Sequence, residues 1–156
     1  MKIHPMSDVQ SDDIGGGTCI WQFVVVLRGA KIGESCNVGS HCFIEGGAVI
    51  GDRVTVKNGV YIFDAIELED DVFVGPNVTF TNDLYPRSRR GAQREAKEYP
   101  KTLVKKGASI GGGAVILPGV TIGEEAIIGA GAIVAKDVPA RGVVYGDASR
   151  LRRELS

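Results

Sequence analysis

Read at an interval of eighteen, the 156-residue chain forms two lines that each carry polar side chains: Arg28, Gly46, Asp64 and Asn82 on one, Phe23, His41, Gly59 and Asn77 on another. Asp64 and Asn82 are the candidate functional residues, because their line ends where the regular pattern gives way to a long loop after Asn82. Of His4 and His41 only the second sits inside a regular pattern, which makes it the one plausible general base. A plainer reading makes the polar residues solvated turns and His41 an ordinary turn histidine. No metal is expected: two histidines cannot supply a three-histidine zinc site, and Cys19, Cys36 and Cys42 lack CxxC spacing.

The elements that must hold these residues follow from a period of six. From Ile14 to Phe80, and again from Val104 to Val134, every sixth residue is apolar, and sixteen of the eighteen are Ile or Val. Four residues after each comes a mostly small or β-branched one, such as Thr18, Cys36, Cys42, Ala48, Ala114 or Ala132. This describes a short strand and a corner repeated, three to a coil, with stacked coils burying one aliphatic column. The expected fold is all-β, one domain over 1–156, a parallel β-helix of about six coils. The first dozen residues look ragged. Glycine directly after the aliphatic position, as at Gly33, Gly51 and Gly111, is expected to supply unusual backbone angles.

Sorted by threes, one corner never begins with glycine: Leu27, Glu45, Phe63, Thr81, Leu117 and Ala135 take that place. A loop over 83–103 leaves from this corner, and the chemistry is expected there. The loop carries Arg87, Arg89, Arg90, Arg94, Lys97 and Lys101 against Asp83, Glu95 and Glu98, a balance that suits a phosphate-bearing ligand. Residues 147–155 are expected to form a short helix capped by Asp147, with Arg150, Arg152 and Arg153 facing a phosphate or solvent.

Eighteen basic against nineteen acidic residues leave a net charge of -1, which implies no nucleic-acid partner. The longest apolar run, Phe23 to Leu27, is far short of a membrane span, and the start lacks the apolar stretch of a signal peptide. A cytoplasmic enzyme is the expected class. The alternative from the repeat alone is a purely structural or interaction β-helix.

The segment IFDAIELEDDVFVGPNVTFTNDLYPRS, from Ile62 to Ser88, together with TCIWQF at Thr18 to Phe23, resembles the nucleotide-linked 3-amino-sugar N-acetyltransferases of the hexapeptide-repeat superfamily. The resemblance implies a left-handed coil and a homotrimer with an active site between each pair of subunits. It implies acetyl-CoA as co-substrate along the C-terminal coils, near Gly112, Ala114, Ala132, Lys136 and Arg150. A dTDP- or UDP-linked amino sugar would approach the loop corner, near Glu45, His41, Arg87 and Arg28, for surface polysaccharide synthesis. Asn82 would lie beside the reacting amine and thioester and orient one of them, with Asp83 and Asp64 close by to hold the substrate or take up a proton late. A sugar amine, partly neutral near physiological pH, needs positioning more than a strong base. The alternatives within this fold are an O-acetyltransferase or a 4-amino-sugar acyltransferase using His41. One departure is the end of the chain, where Gly146-Asp147-Ala148-Ser149-Arg150 lacks the proline common in relatives.

Overall fold

The computed structural model describes residues 1–88 and 98–146. Two- and three-residue strands stack in parallel into three faces of a left-handed β-helix. Face 1 runs from Lys2–Ile3 through Cys19–Ile20 and Asn37–Val38 to Val143–Val144, and face 2 from Asp8–Val9 to Ile133–Val134. Face 3 runs from Lys31–Ile32 to Thr121–Ile122. Corner one leads into face 1, corner two joins faces 1 and 2, and corner three joins faces 2 and 3. The register is eighteen, Cys19 opposite Asn37 and Asn37 opposite Thr55. Coils are joined by backbone bonds such as Cys19 N–H to Cys36 O at 2.8 Å. Among the described residues no helix is long and apolar enough to cross a membrane.

The core is the predicted column. Ile20, Val38, Ile44, Ile62, Ile110 and Ile128 are buried, and so are the partners four residues on, Val24, Cys42, Ala48, Ala114 and Ala132. Burying each Ile or Val stabilises the fold by about 1.5–3 kcal/mol, and no coil closes such a core without its neighbours. Thr18 takes a small inward position by donating its hydroxyl to Gly33 O and accepting from Cys36 N–H, at 2.8 and 3.0 Å.

Several expectations change. The ragged start is a further coil: Lys2–Ile3 pairs with Cys19–Ile20, Asp8–Val9 with Val25–Val26, and Ile14 bridges to Ile32. The helix therefore has about seven turns rather than six. Val138 bridges to Ile122, taking a face-3 place that the period of six did not give it. The loop ends earlier than 103, because Thr102–Val104 is already strand. The proposed helix over 147–155 lies outside the described residues. The glycines after the aliphatic position have ordinary φ; the left-handed residues come two places later, as at Ser35, His41 and Arg53. Glycine is needed at Gly111 because a Cβ there would meet Ala130 N of the next coil at 2.5 Å.

Candidate active site

Corner three builds its polar ladder from one coil to the next. The Asp64 backbone N–H donates to Glu45 Oε2 at 2.8 Å, and the Asp64 carboxylate accepts from Ala65 N–H at 2.7 Å. Ala65 has φ +64, so this short bond steadies a left-handed turn. A Cβ at Gly47 would overlap Asp64 Oδ1, so the carboxylate lies directly across that glycine. One coil on, the Asn82 amide donates to Asp64 O at 3.2 Å. Asp83 follows at once, its carboxylate accepting from Tyr85 N–H at 2.8 Å and turning the chain into the loop. The far end of the loop is anchored too. Lys101 pairs with Glu67, and buried Thr102 accepts from Gly119 N–H at 3.0 Å.

The structure thus brings Glu45, Asp64, Asn82 and Asp83 together. Arg28 heads the same corner, exposed, two coils before Asp64, and exposed Lys136 continues the line beyond the loop. Arg87 is exposed and donates to Pro86 O at 3.1 Å. His41 stands elsewhere, on corner two, its ring 4.9 Å from Phe23. Ala114 and Ala132 point into the core, 0% and 1% exposed, so only their backbone can touch a ligand. Arg150 lies outside the described residues, as do Arg89, Arg90, Arg94 and Lys97. Among the described residues, no three His, Cys, Asp or Glu side chains are grouped to hold a metal.

One feature escaped sequence reasoning. Corner one is not stripped: Asp52 accepts from Glu34 N–H, Asp70 from Asp52 N–H, and Arg53 braces Asp71 at 2.7 Å. The first two bonds are made to the backbone, and the third, from the Arg53 guanidinium, holds the Asp71 carboxyl below its usual range. Gly112, expected near a co-substrate, lies on corner two of the C-terminal coils, where Gly111-Gly112-Gly113 stacks on Gly129-Ala130-Gly131. A Cβ at Gly113 or Gly131 would meet nothing, and Ile127 and Ile133 beside them are 51% and 70% exposed. The result is a bare backbone track edged by apolar side chains. Glycines at a fixed spacing are its sequence signal.

Residues 29–64 and 101–136 match the bacterial transferase hexapeptide (six repeats) family. Over 150 residues the chain is 48% identical to the dTDP-3-amino-3,6-dideoxy-alpha-D-galactopyranose 3-N-acetyltransferase of Aneurinibacillus thermoaerophilus, covering 96% of this chain and 76% of that one. The chain belongs to the hexapeptide-repeat acyltransferases of nucleotide-linked amino sugars. A hexapeptide-repeat acetyltransferase of Vibrio cholerae, solved with acetyl coenzyme A, is 25% identical at a TM-score of 0.58, over 92% of this chain and 70% of that one. The GDP-perosamine N-acetyltransferase of Caulobacter crescentus, 23% identical at a TM-score of 0.57, shares the fold. The alignment spans 92% of the present acyltransferase but about half, 52%, of the perosamine enzyme.

Proposed function

We propose that this acyltransferase moves the acetyl group of acetyl-CoA to the 3-amino group of a dTDP- or UDP-linked 3-amino deoxy sugar. The carrying observation is the near full-length likeness to the Aneurinibacillus 3-N-acetyltransferase. Acetyl-CoA supplies an activated acyl thioester, and the Gly111–Gly113 and Gly129–Gly131 turns, with Lys136, would hold it. Asn82 is the catalytic residue: with its N–H given to Asp64 O, its side-chain oxygen accepts from the amine and aims the nitrogen lone pair. Asp64 and Asp83 keep the substrate in place and take up the released proton. Glu45, Arg28 and Arg87 line the approach, with His41 reaching the sugar nucleotide from corner two.

The assembly we propose is a homotrimer. Face 2 turns Val25, Phe43, Tyr61, Val115 and Ile133 outward, and Tyr61 is 53% exposed. Three such faces set around a three-fold axis cover one another and place corner two of each protomer beside corner three of the next. The site then lies between subunits, with the glycine turns of one protomer opposite Asn82 of its neighbour. A cytoplasmic enzyme feeding surface polysaccharide synthesis fits both substrates.

The test is release of the CoA thiol on mixing protein, acetyl-CoA and a panel of dTDP- and UDP-linked 3-amino and 4-amino sugars. Rapid release with one 3-amino sugar is expected. Silence with CoA bound would reassign the acceptor, and silence without CoA binding would leave a structural β-helix.

A further inference from the structure

Corner two of the N-terminal coils carries side chains that acetyl transfer itself leaves without a task. One line of this corner reads Phe23, His41, Gly59, Asn77, Gly113, Gly131, and every member has left-handed φ, +61 for both Phe23 and His41. Glycine and asparagine are what such a backbone favours, and a phenylalanine there runs against it. Bulky residues persist in left-handed geometry where function or packing holds them, and here packing supplies little. Phe23 is 45% exposed, and His41, its ring tilted by 43° against it, is exposed as well. Trp21, on the same turn, is 42% exposed and fixed in place: its Nε1 donates to Asn37 Oδ1 at 2.7 Å, and Lys2 Nζ lies 5.3 Å from its ring centre. Lys57 is exposed on the next coil beyond His41.

From the level of His41 to that of Asn82 is two coil rises, about 10 Å, and from Phe23 three, about 14 Å. Stacking rings, then a cation, then the Asn82 level follow in the order of base, diphosphate and sugar. We infer that this corner binds the nucleoside diphosphate of the acceptor. The pyrimidine stacks on Trp21, Phe23 and His41 of one protomer, and the diphosphate runs past Lys57. The amino sugar reaches Asn82 of the neighbouring protomer. The inference rests on the acetyltransferase reading above and deepens it.

Trp21 is the chain's single tryptophan, so its fluorescence reports on this corner. The whole protein is titrated with dTDP and with UDP, as wild type and as Phe23→Gly, His41→Gly and Lys57→Met. Glycine already holds this line at Gly59, so the two glycine variants keep the fold, which a thermal melt verifies. One of the nucleotides should quench Trp21, and each glycine variant should weaken its binding by about tenfold or more. The KM for the sugar nucleotide should rise in proportion, with small changes by comparison in kcat and in the KM for acetyl-CoA. Lys57→Met should weaken dTDP but not thymidine. Failure of both nucleotides to bind, or binding that leaves Trp21 and the variants' affinities unmoved, overturns the inference. Binding is read without turnover. A protein that binds dTDP at Trp21 yet acetylates no 3-amino sugar therefore refutes the reaction and keeps the corner; an active enzyme whose glycine variants retain the wild-type KM does the reverse.

Discussion

The side-chain amide of Asn82 donates to the backbone carbonyl of Asp64 across one coil, at 3.2 Å. The bond fixes the carboxamide to the scaffold rather than to a mobile loop, so its oxygen is held in place before substrate arrives. Preorganised polar groups of this kind are worth about 10²–10³ in turnover. Asn82→Ala should therefore lower kcat by about a hundredfold. Asn82 is half-buried at the rim of the core, so loss of stability should be small, under about 1 kcal/mol. Steady-state kinetics beside a thermal melt separate the two, and unchanged kcat would remove Asn82 from the chemistry.

Gly47 underlies the same site. A methyl group there overlaps the Asp64 carboxylate, which must leave Ala65 N–H to escape it. Gly47→Ala should cost about 1–2 kcal/mol for the lost bond, lowering Tm by a few degrees. It should also reduce kcat, because the displaced carboxylate is the one proposed to hold the substrate and take up a proton. A variant as active and as stable as wild type would show that the Asp64 conformation is immaterial.

At Gly111 the obstruction is backbone rather than side chain, with Ala130 N 2.5 Å from the position of a Cβ. Side chains can turn aside, whereas two stacked coils can only separate. Gly111→Ala should destabilise by about 1–3 kcal/mol or more, and Gly113→Ala, where nothing obstructs, should lose only through its left-handed φ of +69. Chemical denaturation of the pair ranks them, and equal losses would contradict the close approach of the coils.

The fold was legible because a β-helix buries a residue at every sixth place with few exceptions, so the column from Ile14 to Val134 stands out in one sequence. It failed where the step changed. Ile3 to Val9 keeps the step of six, but Val9 to Ile14 is five, which hid the first coil. The ladder was legible for the same reason, since eighteen residues make one coil. What escaped were properties of contact between coils. The bonds of Asp52 and Asp70 to backbone N–H, and the overlap that requires Gly111, exist only once coils stack. Ala114 and Ala132 were assigned to a ligand although their own period placed them inward.

Arg53 allows a test at low pH. Its guanidinium, bonded to both Asp71 and Asp70, holds the Asp71 carboxyl below the usual range. A carboxyl lowered on folding stabilises at pH values above its unfolded pKa, about 3.9, and that contribution is lost as pH falls through the folded value. In Arg53→Met the Tm deficit should be steady above about pH 5 and shrink as the pH falls below 4. The pair is exposed, so the deficit should be small and should fade with added salt. A gap that widens in acid would reverse the assignment.

The three cysteines should differ in reactivity. Cys36 and Cys42 are each 2% exposed, and burial raises both thiols above the ordinary range. Their sulfurs also contact backbone carbonyls, Gly51 O at 3.0 Å and Lys57 O at 3.2 Å, bonds that require the protonated thiol. Cys19 lies on face 1 at intermediate exposure. A chromogenic disulfide reagent should titrate one thiol quickly in the native protein and all three after unfolding, and Cys19→Ser should abolish the fast phase. A thiol pKa raised on folding favours the native state below the unfolded value, about 8.5, and the advantage is lost as pH rises through the folded one. Tm should therefore decline above about pH 9, less steeply in a Cys36→Ala, Cys42→Ala protein. A fast phase of three equivalents in native protein would mean that the core column opens far more readily than its packing implies.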